Sequence, residues 1–331
     1  MSDEKRTLIE AILRKTLREI KKSPERATRN IIDFGIHFAK GDHYSPFLKT
    51  VQKILSDESI AYFPLVYDTV MSVDEDRLLT FGMNLGYSSF TSGANTIRKI
   101  ESEEKYNIPW MLFLEIGDLD ISVYESLIDQ GNQLGIYSWI IRLCENSEKA
   151  FQLMKKYKDN AFILRCPSKA ITDNFISKSL KINNMMIAVE YGENTFEKCD
   201  ILRENRLLYS MYYVYSSKDR DFIVNGELES TAKVLHPLFT LIQPKSDCDE
   251  ESRRIVYKYI NDSRHKGKTN TVFWDVHYDS LYVDGIISDN PYSAGFLKNG
   301  EFISFNDYKV NAFLKIPETR LSEILKTEFP K

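Results

Sequence analysis

From about Arg77 to Asp279, short apolar runs rich in β-forming residues alternate with polar amphipathic segments at intervals of roughly 25 to 30 residues, the spacing of βα units. This rhythm restricts the fold more than any other feature of the chain. Eight runs read as strands: LLTFGMNLGY (78–87), WMLFLEIG (110–117), GIYSWIIRL (135–143), AFILRCP (161–167), MMIAVEYG (185–192), LLYSMYYVYS (207–216), LFTLIQP (238–244) and TVFWDVHYD (271–279). Segments such as SVYESLIDQGNQLG and EESRRIVYKYINDSRHKG lie between them as helices, ended by Gly135 and Gly267. Near-continuous apolar strands require a parallel sheet covered on its faces, and eight such units close most economically as a (β/α)8 barrel of the TIM type. The alternative is a doubly wound open sheet, disfavoured because it would be large and no dinucleotide fingerprint marks a switch point.

The flanks differ from this pattern. Residues 1–75 read as helical: Ile9, Leu13, Leu17 and Ile20 recur at helical spacing, and Ser23-Pro24 and Ser45-Pro46 each open a further helix, with Gly41 expected to end the second. Residues 60–76 are ambiguous. After the last strand, Asn299-Gly300 predicts a tight turn between two short strands, and PETRLSEILKTEF predicts a closing helix. The expected organisation is an N-terminal helical domain (1–75), a barrel (76–290) and a small C-terminal cap (291–331).

Composition narrows the class of protein. The 331 residues are 43% hydrophobic and 28% charged, an ordinary globular balance. No apolar run approaches the ~20 residues that span a bilayer, and MSDEKRTLIE is charged where a secretory signal is apolar, so a cytoplasmic protein is expected. The net charge of -4 argues against nucleic acid as a partner. The first thirty residues hold nine Lys/Arg against five Asp/Glu, and this local excess is the sole charge-based support for a binding role there. Cys144, Cys166, Cys199 and Cys248 form no C-x-x-C pair, which points to reduced, mostly buried thiols.

In a barrel the ligand site lies at the carboxyl ends of the strands, so the last polar residues of each run are the candidates. They are Asn84, Glu115 with Asp118 beyond it, Arg142, Arg165, Glu190, Tyr213 and Tyr215, Gln243, Asp275 and His277. Glu115 and Glu190 are each the first charge after an apolar strand, where desolvation demands a partner, and Arg142 and Arg165 are the obvious ones. Together they could bind a polar or anionic ligand, since guanidinium groups match carboxylate and phosphate; they could equally pair as a structural layer. Asp275, His277 and Asp279 share strand parity and could supply metal ligands, or an acid and its orienting base. A buried Asp275 and a His277 past the strand end is the plainer reading. There is no G-x-S-x-G, no H-E-x-x-H and no complete phosphate loop; Gly267-Lys268-Thr269 reads as a helix exit. SSFTSGA (88–94) occupies the place of a first βα loop, with Thr91 or Ser92 placed to cap a helix from Gly93. Such a helix start can hold an anion, or the hydroxyls can simply cap it.

The order of elements, the position of that first loop and the tail YSAGFLKNGEFISF together resemble the radical-SAM superfamily over about residues 77–305. The resemblance implies a barrel with C-x-x-x-C-x-x-C in the loop after the first strand, holding a [4Fe–4S] cluster. No cysteine stands between Asn84 and Thr96, and Tyr292-Ser293 stand where the cysteine-rich extension of some members would begin. The resemblance therefore implies a chain without the cluster and without its radical reaction, and no cluster ligand carries over. Three functions follow as expectations: a small polar or anionic ligand, or a protein partner, bound at the barrel mouth; a metal-assisted hydrolase or lyase with Glu115 or Glu190 as general base and Asp275 and His277 as metal ligands or acid; and a ligand-sensing regulator whose N-terminal helices bind protein or nucleic acid.

Overall fold

The structure, a computed structural model, describes residues 3–38, 45–117, 119–144, 147–288 and 290–331. Asp118 and Gly41 lie outside the described residues. The chain opens with α1 (Asp3–Ile20), α2 (Pro24–Phe38), α3 (Ser45–Ile54), α4 (Tyr62–Ser72) and α5 (Glu75–Met83), and a π-helical stretch, Asn84–Gly93, carries α5 into α6 (Ala94–Glu104). Then come β1 (Met111–Ile116), α7 (Ile121–Leu134), β2 (Ser138–Leu143), α8 (Glu148–Lys156), β3 (Ala161–Pro167), α9 (Asp173–Ser179), β4 (Met185–Glu190) and α10 (Thr195–Glu204). They are followed by β5 (Tyr209–Tyr215), α11 (Arg220–Val224), α12 (Glu227–Leu235), β6 (Phe239–Pro244), α13 (Glu250–Lys266), β7 (Val272–Asp275) and α14 (Tyr278–Ile287). The last elements are β8 (Ala294–Phe296), β9 (Glu301–Ser304), β10 (Lys309–Lys315) and α15 (Leu321–Glu328). The protein is α/β, with a ten-stranded, mostly parallel sheet.

The chain divides into two compact units, residues 1–79 with 188–276 and residues 80–187 with 277–331, and the boundary falls within α5 and β4. In the first unit, β5, β6 and β7 run parallel, with Tyr212 opposite Leu241 and Ile242 opposite Asp275. The opening helices bury two small clusters, Ile20, Ala27 and Val70, and Leu55, Ile60 and Phe63. Helix α4 is fastened by the Asp68–Arg203 pair, whose two hydrogen bonds of 2.9 and 2.5 Å hold it to α10, and by Ala61 N donating to Gly267 O at 2.7 Å.

In the second unit, β1, β2 and β3 are parallel and in register, Glu115 opposite Arg142 and Arg142 opposite Arg165. On the other side of β1 lies β8, parallel, with Gly295 opposite Phe113; β9 pairs antiparallel with β8, and β10 with β9. Strand alternation sorts the side chains of β1 to β3 onto two faces. Leu112, Leu114 and Ile116, Trp139, Ile141 and Leu143, and Phe162, Leu164 and Cys166 form one face, and all are buried. Helices α7 and α8 bring buried Tyr124, Leu127, Phe151 and Leu153 from the same unit, so this is the helix-covered core. A Cβ on Gly131 would come within 2.6 Å of the Trp139 ring, so only glycine lets α7 approach β2 that closely. The other face carries Phe113, Ile163, Glu115 and Arg165, half-buried, and Arg142, exposed.

Seven expected strands are present, the hairpin at Asn299-Gly300 forms, and Gly135 and Gly267 end α7 and α13 in the left-handed conformation. The eighth expected strand, 78–87, is helix. Its start was written in Asp74, whose carboxylate accepts from the Asp76 and Arg77 backbone N–H groups at 3.0 and 3.2 Å, with Glu75 and Asp76 in the first turn. The place beside β1 is taken by β8, and β10 adds a strand that the sequence pattern did not indicate.

Candidate functional site

The parallel strands bring three of the expected residues, Glu115, Arg142 and Arg165, into one row. Each is the last or second-last polar position of its strand, and the parallel register sets them side by side on the face away from α7 and α8. Arg142 Nη1 donates to Glu115 Oε1 at 2.7 Å, with 48% of the arginine and 23% of the glutamate side chain still exposed. A pair this exposed contributes about 0–1 kcal/mol to stability. The loop that follows β1 is held by Lys149 of α8, whose Nζ donates to the Gly117 and Leu119 carbonyls at 2.9 and 2.8 Å. That lysine carried no signal in the sequence, because the carbonyls it meets belong to another segment.

The remaining candidates fall elsewhere. Asn84 ends no strand; it lies wholly buried in the π-helical stretch and donates from Nδ2 to the Lys158 and Asn160 carbonyls at 2.7 and 2.9 Å. The SSFTSGA segment is π-helix running into α6, so α6 starts at Ala94 as a continuation of helix and not as a free N-terminus. Ala94 N donates back to the Ser89 and Thr91 carbonyls, and the Thr91 hydroxyl donates to Gly86 O at 3.2 Å. The donors of an anion-binding helix start are thus already engaged, and neither Thr91 nor Ser92 caps a helix.

In the first unit, Glu190 closes β4 half-buried, and the turn beyond it is tied by Thr195, whose hydroxyl receives the Gly192 N–H and donates to Gly192 O, both at 2.8 Å. Beside it Tyr191, Tyr213 and Phe222 pack with ring centroids 5.5–6.3 Å apart, and burial pushes the Tyr213 phenol up to about 12. Gln243 accepts the Tyr212 hydroxyl at 2.5 Å. Asp275 is fully buried at the end of β7, level with Ile242, and so projects to the opposite side of the sheet from Gln243. The shared parity of Asp275, His277 and Asp279 does not survive. The strand stops at Asp275, and Asp279 stands in the first turn of α14. His277, in the second unit, is 9% exposed and packs against the rings of Tyr278 and Tyr308 at 4.9 and 5.7 Å. Among the described residues no group of three or more His, Cys, Asp or Glu side chains converges as a metal site.

Two buried carboxyl groups escaped the sequence reading. Asp284 accepts the backbone N–H of Trp110 at 2.8 Å and of Tyr292 at 2.7 Å, and desolvation raises its pKa well above the carboxylate range. Glu101 accepts Ile108 N at 2.8 Å and the Ser288 hydroxyl at 2.5 Å and faces Lys331 at 3.2 Å. Both fasten backbone of the second unit. The available signal was a lone acid inside the apolar run SLYVDGII, which forms most of α14.

No family model matches the sequence, and none of the curated proteins matches it. Solved structures do. SuiB of Streptococcus suis is similar in one structure with a TM-score of 0.50 at 12% identity, over 73% of this chain and 71% of that one. SuiB bound to S-adenosylmethionine gives 0.51 at 11% identity over 72% and 71%, and SuiB bound to the precursor peptide SuiA gives 0.50 at 11% over 72% and 70%. The fold is similar to that of SuiB. At these identities the likeness is one of fold alone. Among the described residues no helix is long and apolar enough to cross a membrane.

Proposed function

We propose that this chain is a barrel-type protein that binds a small anionic ligand at the carboxyl ends of β1, β2 and β3, without iron–sulfur chemistry of its own. The carrying observation is the in-register row of Glu115, Arg142 and Arg165 on a half-open sheet face. Strand ends are where βα folds hold ligands, and two guanidinium forks side by side match a carboxylate or phosphate. Against an iron–sulfur cluster stands the scatter of the thiols, of which Cys144 alone is exposed. Residues 117–120 after β1 read Gly-Asp-Leu-Asp, Cys166 and Cys199 are buried in β3 and α10, and burial pushes the Cys199 thiol up to about 12. One solved neighbour holds S-adenosylmethionine and another a peptide; the arginine row favours a small anion here.

The test is calorimetric titration of the full chain with inorganic phosphate and pyrophosphate, compared with Arg142→Ala and Arg165→Ala. Binding that weakens about tenfold or more in each variant supports the reading. Absent binding, or binding indifferent to both substitutions, overturns it.

A further inference from the structure

The turn that joins β8 to β9 lies against the carboxyl end of β1. Gly300 N closes it by donating to Leu297 O at 2.8 Å, with Lys298 and Asn299 between them. Strand β8 runs parallel to β1 with Leu114 opposite Phe296, so this turn stands at the same end of the sheet as Glu115, Arg142 and Arg165. A Cβ on Gly117 would lie 2.7 Å from Lys298 Cβ and 3.3 Å from its Cα. Only glycine at 117 lets the turn come this close, and because the Cβ is the nearer atom, the lysine side chain leaves the turn toward β1. Gly117 stands two residues beyond Glu115, so Lys298 approaches from the Glu115 side of the sheet.

The turn is held in place. Gly300 takes φ 86°, a Cβ there would meet Leu119 Cδ1 at 3.1 Å, and Ile316 N donates to Gly300 O at 3.0 Å. Lys149 grips the Gly117 and Leu119 carbonyls from the other side, so the turn and the loop after β1 pack as one piece. Lys298 itself is half-buried, and among the described residues its ammonium makes no ion pair. Its flexible four-carbon stem starts about 6.6 Å along the chain from Glu115, and Arg142 lies one strand spacing further, about 4.8 Å. The carboxyl end of this sheet thus offers three cations, two of them forked and fixed in register and the third on a mobile stem.

We propose that the ligand of this site carries two adjacent anionic groups, a diphosphate, with one group on Arg142 and Arg165 and the other on Lys298. This rests on the anion-binding reading above and specifies the class of ligand. Guanidinium forks grip one phosphate through paired hydrogen bonds, whereas an ammonium meets the second as a point charge. A single phosphate occupies the arginines and forgoes the lysine.

The experiment titrates the full chain with inorganic pyrophosphate and inorganic phosphate by calorimetry at one ionic strength. The variants are Lys298→Gln, which keeps a stem against Gly117 and removes the charge, and Lys298→Arg, which keeps the charge. Pyrophosphate is expected to bind the unsubstituted chain about tenfold or more tighter than phosphate. Lys298→Gln should remove most of that advantage while leaving phosphate binding unchanged, and Lys298→Arg should retain it. A pyrophosphate advantage that persists in Lys298→Gln is a response to ligand charge alone and overturns the role of Lys298. Equal affinity for the two anions, both lost in Arg142→Ala, overturns the diphosphate class and leaves the anion site standing. Loss of phosphate binding in Lys298→Gln overturns the division between the arginines and the lysine. Binding of neither anion, or binding indifferent to Arg142→Ala, overturns both readings.

Discussion

The strand ends of the two units end in different chemistry. In the second unit, β1, β2 and β3 finish in a row of charges that are paired but still half open to water. In the first unit, Gln243 near the end of β6 accepts a neutral hydrogen bond from Tyr212 in the middle of β5, and β7 finishes in an aspartate wholly removed from solvent. Residues at equivalent positions along a strand can therefore serve a ligand or the fold, and exposure separates the two. A half-exposed ion pair gains little from itself and can be exchanged for a ligand, whereas a buried polar group is costly to leave without its partner.

The largest effect expected is on the covered face of the second unit. Phe162→Ala should cost about 3–5 kcal/mol in denaturant unfolding, and Ile163→Ala, one residue along on the half-open face, well under half as much. Equal losses would mean that the two faces are not different environments. Next, the contribution of Asp284 to stability should fall as pH rises from about 4 toward its raised folded pKa, with a slope of up to about 1.4 kcal/mol per pH unit within that window. The sign follows from Asp284, whose folded pKa is raised, so the folded state keeps a proton that the unfolded chain has released. Asp284→Asn should flatten that slope; an unchanged slope would assign it to other groups.

A third effect divides binding from stability. Arg142→Ala and Arg165→Ala should each weaken phosphate binding by about tenfold, about 1.4 kcal/mol, while moving the unfolding midpoint little. Gln243→Ala should do the reverse, lowering stability by about 1 kcal/mol through the Tyr212 hydroxyl it strands and leaving phosphate binding intact. If Gln243→Ala abolished binding, the contrast between the units would collapse. The smallest effect is expected from Glu115→Gln, which removes the competing carboxylate and should raise phosphate affinity by a few fold; a fall would place Glu115 on the ligand instead.

Much of the scaffold was legible in the chain. The runs at 110–117, 135–143 and 161–167 are strands because they are short, apolar and β-rich, and α7 stops at Gly135 because glycine takes φ 94° without strain. Residues 78–87 were misread because their apolar content matched a strand while the deciding signal, Asp74 as an N-cap, lay just upstream. In the site, the pairing of Glu115 with Arg142 was foreseeable from two charges at the ends of neighbouring strands. At the other end of β1, the packing of Phe305 on Phe113 was not, since nothing local says which ring a hairpin loop brings to which strand.

The sequence by itself determined where most strands and helices begin and end, and that charges stand at the strand tips, because periodicity, caps and turns are properties of neighbouring residues. Tertiary structure alone decided that β8 lies parallel beside β1, that Glu115, Arg142 and Arg165 share one row, and that Gln243 and Asp275 face apart. Register is set by contacts between segments far apart in the chain, and a one-residue slip would turn every side chain of a strand to the other face.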